Sequence, residues 1–284
     1  MVLEAIVVPE SWEQHPRRML IIGFAYATVG IFMGMWVFGK YASIAGIFLT
    51  TIPLVVIMYR AINCEEEKDL RICREYLLIK EHIHILMFFI YLFVGIVLSY
   101  TFWFSLMPED TVNWAYSSQV ETIGSIRSQF AASGAAASKT QYVGTILSNN
   151  IRVLAFCILF SIIYGAGAIF ILTWNASVIG VAVGSVVREW LMKVGAYGQN
   201  VPMLHYFSVI PSVLAYFVHG IPEVTSYFLG SLAGGIISVA VACHHYRSKE
   251  FWHIIRDSLD LTILSVIVLV AAAYIEVYVT PLIL

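Results

Sequence analysis

The sequence predicts an all-α fold, a polytopic transmembrane helical bundle of about 6–7 spans. Of its 284 residues, 60% are hydrophobic and only 12% are charged, and the mean hydropathy is +0.84. Soluble domains carry about 25% charged residues, so this composition excludes an ordinary soluble domain. The surroundings of the bundle are therefore membrane lipid. The net charge of −2 predicts no nucleic-acid partner, because such partners select strongly basic surfaces.

The spans are placed by apolar length and by helix-breaking residues. The first four are predicted over about Leu20–Phe38, Ala42–Tyr59, Ile83–Phe104 and Val153–Trp174. The next apolar stretch, Ser177–Val187, is too short to cross, and Asn175 before it is a plausible N-cap. We therefore expect a re-entrant or broken helix there. A last span is predicted from about Leu261 to the C-terminus, interrupted by Glu276.

Charge asymmetry predicts the organisation and the orientation of the chain. Residues 1–82 form an N-terminal helical pair with a charged loop, and residues 83–284 form the membrane core with an external segment, 107–150. The Arg60–Lys80 loop carries five Lys and Arg residues, whereas segment 107–150 carries two. The positive-inside rule then places the N-terminus and the loop in the cytoplasm, within a multi-pass protein of the cell membrane. With Ser177–Val187 re-entrant, Arg188 and Lys193 also fall inside.

Two segments outside the bilayer are expected to bind protein partners. Glu65–Glu81 keeps apolar residues at helical spacing among alternating charges, which predicts an amphipathic helix (65–81) on the cytoplasmic surface. Segment 107–150 contains Trp114, Tyr116 and Phe130 before a run rich in Ala and Ser. This pattern predicts a small helical cap followed by a flexible linker, with the cap as the external docking surface.

The most distinctive sequence is His219-Gly220-Ile221-Pro222-Glu223, inside the long apolar stretch His205–Ala242. Pro222 removes a backbone donor and clashes with the carbonyl four residues back, and Gly220 adds conformational freedom. The stretch therefore predicts an intramembrane helical hairpin that turns here, with His219 and Glu223 bonding the freed backbone groups. Because a charge at bilayer depth costs about 2.5–3.5 kcal/mol, the pair either staples this break or lines a pore, proton path or partner groove.

Small residues at GxxxG spacing predict close helix packing or a homo-oligomer interface. The pairs are Gly30/Gly34, Gly180/Gly184 and Gly230/Gly234.

These elements together resemble a known family. The sequence Trp174-Asn175 followed by Gly180 and Gly184, and later the intramembrane His-Gly-Ile-Pro-Glu followed by Gly230, Ala233 and Gly234, resembles the stage II sporulation protein M family. The likeness is clearest from about Ile151 to Arg256, and the N-terminal spans resemble those of archaeal-type members. The resemblance implies a non-enzymatic membrane scaffold or assembly factor that recruits or anchors partner proteins, since sporulating bacterial members look like anchors for cell-wall hydrolases.

A small-solute or ion transporter or channel is the alternative. Discontinuous helices with polar breaks near the midplane build many transport sites, and the predicted breaks at Asn175 and His219–Glu223 fit that pattern. An intramembrane protease is a third hypothesis, since Glu66, Glu67 and Arg71 match the EExxxR pattern of glutamic membrane proteases. These residues lie in a run of charges rather than in an apolar helix. With no paired acid, nucleophile or metal set, we expect no enzyme activity, cofactor or metal.

Overall fold

The computed structural model describes residues 16–71, 75–132, 139–197, 209–242 and 250–283. Every regular element in these ranges is helical, which confirms the predicted all-α bundle. The helices are α1 (Arg18–Phe38), α2 (Ala42–Arg71), α3 (Glu75–Leu106), α4 (Glu109–Ala115), α5 (Ser117–Ala132), α6 (Lys139–Tyr164), α7 (Ala168–Tyr197), α8 (Val209–Ala242) and α9 (Glu250–Tyr274). A π-helix (Ile275–Val279) and a 3-10 turn (Thr280–Leu282) extend α9.

Six apolar segments of the described chain are long enough to cross a membrane. The first, Arg18–Ile62, contains both α1 and α2, because the chain reverses at Gly39, whose φ is +50°. A Cβ atom at Gly34 would lie 2.9 Å from the backbone nitrogen of Gly46, so the two helices pack at close range. Seven helices of the described chain therefore have membrane length, as expected for a multi-pass protein.

The predicted surface helix 65–81 is wrong as a separate element. The backbone of this region continues α2 to Arg71 and begins α3 at Glu75, so the charged loop is two extensions of membrane helices. Residues 72–74 lie outside the described residues, and so do the side chains of 63–82. The physical reason is that opposite charges three or four residues apart stabilise a helix in water. A membrane helix with such a sequence can therefore continue beyond the membrane without a separate surface helix.

The break predicted at Trp174–Asn175 lies elsewhere. The chain turns between Tyr164, which ends α6, and Ala168, which begins α7, and Gly165 has a φ of +65° there. Asn175 is therefore no N-cap, since it lies inside α7. Ser177–Val187 belongs to the same continuous helix, and the predicted re-entrant element is wrong. Gly165, directly after Tyr164, ends the helix more effectively than an asparagine would, because glycine adopts positive φ without strain.

The predicted helical hairpin in His205–Ala242 is also wrong. Helix α8 runs unbroken from Val209 to Ala242, with Pro222 inside it. Residues 205–208 lie outside the described residues. A proline removes one hydrogen bond of the ladder, and the surrounding helices of a membrane bundle sustain the rest, so such prolines are tolerated.

Helix α8 is the central element of the bundle. Of its apolar window, 78% is buried inside the protein, against 28% for α6 and for the α9 segment. Gly234 allows this burial, because a Cβ atom there would lie 2.7 Å from the Ile158 carbonyl oxygen of α6. Gly180 plays the same part in α7, where a Cβ atom would lie 2.6 Å from Cβ of Tyr100 in α3. Both small-residue faces therefore pack helices within the chain.

The order of the helices places the two ends of the described chain on opposite faces. Helices α4 and α5 follow α3 on one face, and Arg188 near the end of α7 lies on that same face. Its Nη1 donates to the carbonyl oxygens of Phe104 at 3.2 Å and Met107 at 2.7 Å. The expectation that Arg188 and Lys193 share the face of the N-terminus is therefore wrong, because it depended on a re-entrant Ser177–Val187. Which face is cytoplasmic remains a prediction of the charge asymmetry.

Candidate functional site

A cluster of polar side chains, the polar cluster, lies at membrane depth where α6, α8 and the C-terminal segment meet. Its members are Asn150, His219, Glu223, Tyr227, Glu276 and Thr280. Three of them come from one face of α8, because residues four apart lie above one another on a helix. The hydroxyl of Tyr227 donates to Oε1 of Glu223 at 2.8 Å.

Helix α6 contributes Asn150 to the cluster. Its side chain is buried and hydrogen-bonds the Glu223 carboxyl. Asn149 supports it, since its Nδ2 donates to Oδ1 of Asn150 at 3.3 Å. The glycine face of α8 makes this contact possible by bringing α6 close and parallel to α8.

The end of the chain contributes Glu276 and Thr280. The hydrogen bond between Thr280 and His219 sets the register of the segment on α8. Glu276 and Glu223 each lie four residues from that contact, toward the same side, so their carboxyls come to the same level and interact electrostatically. Oγ1 of Thr280 lies 3.2 Å from Nδ1 of His219 and donates to the Ile275 carbonyl oxygen at 3.3 Å. Both residues depend on the wide π-helical turn 275–279, and π-turns inside helices are frequent at functional sites.

The polar cluster contains two carboxyl groups and no strong base. Within the described residues, no lysine or arginine forms an ion pair with Glu223 or Glu276. The same part of the chain holds no group of three His, Cys, Asp or Glu side chains arranged for a metal ion. The arrangement can therefore join three helices by hydrogen bonds and can exchange protons at its two carboxyl groups.

The structure brings His219 and Glu223 into one cluster but leaves Asn175 out of it. Nδ2 of Asn175 donates to the Ile171 carbonyl oxygen of its own helix at 2.8 Å. The expectation that His219 and Glu223 bond the backbone groups freed by Pro222 is wrong. Glu223 bonds side chains of α6 and α8. His219 bonds Thr280 of the C-terminal segment and the backbone of Ala215, which is not the group that Pro222 frees.

Sequence reasoning missed Asn150, Tyr227, Glu276 and Thr280 as members of the site. Glu276 carried a signal, since it is an ionisable residue within a predicted span. Its partner could not be read from the sequence, because 53 positions separate it from Glu223 and the contact depends on how α9 packs on α8. Asn150 precedes the predicted start of the fourth span, and a single asparagine at a span end carries no signal in the sequence.

Gly220 faces away from the polar cluster into a shallow apolar groove. Helices α3, α7 and α8 line it, with residues that include Phe93, Val97, Ile179 and Ile221. A Cβ atom at Gly220 would have no neighbour within 4 Å, so this glycine is not required for packing within the chain.

A second buried polar junction fixes the cap that α4 and α5 form. Ser43 of α2 donates to Oε1 of Gln119 at 2.7 Å, and Nε2 of Gln119 donates to Ser177 of α7 at 3.3 Å. Gln119, Ser43 and Ser177 are all buried. Beside them, burial raises the pKa of the Tyr116 hydroxyl, which stays neutral and contacts Sδ of Met107 at 3.8 Å. The predicted helical cap is confirmed over α4 and α5, while residues 133–138 of the predicted linker lie outside the described residues.

The seven membrane-length helices and the polar cluster define a polytopic helical membrane protein with an acidic pair inside its bundle. The chain belongs to the stage II sporulation protein M family, whose model matches residues 84–281. That match contains the whole polar cluster and leaves out α1 and α2. An archaeal relative, the uncharacterized protein MJ0793 of Methanocaldococcus jannaschii, is 30% identical over 142 residues, which cover 48% of this chain and 70% of the relative. No solved structure matches the chain.

Proposed function

We propose that this protein is a non-enzymatic membrane scaffold or assembly factor, and that it holds a protein partner on the cap formed by α4 and α5. The observation that carries the proposal is a rigid cap with exposed apolar side chains. The Gln119 junction fixes the cap to α2 and α7, so its surface is held in one orientation. Binding to a preorganised surface costs less ordering entropy than binding to a mobile one.

The exposed surface of the cap has the chemistry of a docking site. Trp114, Val120 and Ile126 are 36%, 46% and 38% exposed, and none of the three lies in a membrane-length helix. Glu109, Asp110 and Glu121 of the cap are also exposed. Aromatic anchors at the centre and charges at the rim are typical of protein interfaces. A partner with an apolar patch and basic residues around it fits this surface.

Photo-crosslinking in native membranes tests the scaffold. A photo-reactive amino acid at Val120 or Ile126 is expected to capture the same protein, whereas one at Val29, an exposed position of α1, is expected to capture lipid only. Trp114→Ala should remove the adduct, because the aromatic anchor is lost. If both cap positions capture only lipid or the chain itself, the scaffold proposal fails.

A transporter or channel remains the second candidate, and the polar cluster is the observation that favours it. Ionisable residues within membrane helices commonly mark ion or proton pathways. The continuity of α7 and α8 weighs against it, since the discontinuous helices that suggested a transport site are absent from both. Flux of protons and small cations into liposomes, compared between the wild type and Glu223→Gln, tests this candidate. Flux that is equal in both would exclude a Glu223-dependent pathway.

A further inference from the structure

The last turns of the chain close the polar cluster from one side. Residues 275–282 form the C-terminal latch, a π-helix and a 3-10 turn that contact α8. Thr280 is buried in this contact, whereas Leu282 at the end is 84% exposed. The hydroxyl of Thr280 donates to the Ile275 carbonyl oxygen and lies 3.2 Å from Nδ1 of His219, with which it forms a hydrogen bond.

The groups that face the two carboxyls from each packed element are neutral or acidic. On α8 they are His219 and Tyr227, and on α6 they are Asn150 and, beside Tyr227, Cys157. One described lysine, Lys139 of α6, approaches the latch. Its Nζ lies over the ring of Tyr278, 5.2 Å from the ring centroid. Two ionised carboxylates here would repel each other in a medium of low dielectric constant, and no cation of the described residues forms an ion pair with either of them.

Ser226 of α8 is a buried hydroxyl at the level of the polar cluster. Its side chain is fully buried and its hydroxyl has no hydrogen-bond partner. Gly230 of α8 lies against Leu154 of parallel helix α6, so one turn earlier in both helices Ser226 lies at the level of Asn150. Ser226 is also one turn from Glu223 on the same face of α8.

We propose that Glu223 and Glu276 together bind one proton and that this proton holds the C-terminal latch against α8. With the proton bound, one carboxyl is neutral and can donate a hydrogen bond to the other or to a neighbouring acceptor. When the proton leaves to water, two like charges face each other and the latch separates from α8. The latch is the part that moves, because α8 is packed by other helices on several sides, whereas Tyr278, Val279 and Leu282 of the latch are exposed.

Separation of the latch breaks the bond between His219 and Thr280 and exposes the acidic face of α8. This inference concerns the regulation of the bundle and does not depend on a partner at the cap. It applies to a scaffold, whose shape would follow pH, and to a transporter, whose proton site would be this pair.

Distances between spin labels in the reconstituted full chain test the proposal. Labels at Leu214 of α8 and at Leu282 of the latch, both exposed positions, report the separation directly in a background without native cysteines. In the wild-type cluster we expect one short distance at acidic pH and a longer, broader distribution at alkaline pH. In the double variant Glu223→Gln and Glu276→Gln we expect the short distance at both pH values, because glutamine mimics the neutral acid.

Glu109→Gln, at an exposed carboxyl of the cap, serves as the matched control and should respond to pH as the wild type does. The proposal is overturned if the wild-type distance does not change with pH, or if the change persists in the double variant. Should the double variant fail to fold, Glu276→Gln alone replaces it. That variant removes the repulsion, and an unchanged pH response in it overturns the proposal equally.

Discussion

At the scale of single residues, the cluster around Glu223 is held by hydrogen bonds that reach across helices. Tyr227 donates to Glu223 within α8, Asn150 bonds the same carboxyl from α6, and His219 bonds Thr280 of the latch. A carboxyl at this depth is costly unless such partners are present. The partners therefore explain how the bundle accommodates an acid in its centre.

Tyr227→Phe is expected to destabilise the protein by about 1 kcal/mol, because it removes a buried donor and leaves the carboxyl with one partner fewer. Thermal unfolding in detergent, followed by circular dichroism, measures the effect. Tyr274→Phe is the matched control, because it removes the same hydroxyl group from a tyrosine that is 53% exposed. A midpoint for Tyr227→Phe equal to that of the control would contradict a stabilising role for this hydrogen bond.

The sequence identified His219 and Glu223 as residues of interest but could not identify their partners. An ionisable side chain in an apolar stretch is visible in any sequence, because its cost in lipid makes it stand out. Asn150 and Thr280 are ordinary polar residues near predicted span ends, and only the packing of α6 and α9 on α8 brings them to Glu223. The cluster is therefore a property of the tertiary fold.

At the scale of elements, glycines decide which helices approach closely and which do not. Gly234 lies against α6, whereas Gly220 opens into the apolar groove, although both lie in α8 and look alike in sequence. Helix breaking also differs from the prediction, because Pro222 leaves α8 intact while Gly165 turns the chain. Local propensity cannot predict these outcomes, since tertiary packing outweighs it.

Gly234→Ala and Gly220→Ala are expected to change stability in opposite directions. The added Cβ atom at position 234 would clash with the Ile158 carbonyl oxygen, so a loss of about 1–3 kcal/mol is expected from overpacking. At position 220 nothing obstructs it, and alanine favours a helix by up to about 1 kcal/mol over glycine. Thermal unfolding midpoints of the two variants, each compared with that of the wild type, test both expectations. A loss at position 220 as large as at 234 would mean that another molecule packs there.

Pro222→Ala tests the continuity of α8. In an unbroken helix the substitution restores a backbone donor for the carbonyl of Val218, so the protein should be as stable as the wild type or more stable. Circular dichroism should show no loss of helix, and the unfolding midpoint should rise or stay. A fall in the midpoint would indicate that the proline shapes a local conformation on which the bundle depends.

At the scale of the whole molecule, the bundle has one central helix and two polar junctions at different places. The polar cluster joins α8 to α6 and the latch, and the Gln119 junction joins the cap to α2 and α7. The family match covers both α8 and the cap and leaves out the N-terminal pair α1 and α2. The fold class was predictable because the thickness of the bilayer sets the length of the apolar spans, and that length is visible in the sequence.

The course of the chain through the membrane yields the last prediction. With seven crossings, Lys40, Gly124 and Lys193 lie on one face, and Tyr164 lies on the other. Single cysteines at these positions, in a background without native cysteines, are expected to react with a membrane-impermeant thiol reagent in two groups. If the charge asymmetry sets the orientation, intact cells label the first three, and Tyr164→Cys reacts only after permeabilisation. A re-entrant helix in place of α7 would instead put Lys193→Cys in the same group as Tyr164→Cys, so the reactivity of that one position decides between the two topologies.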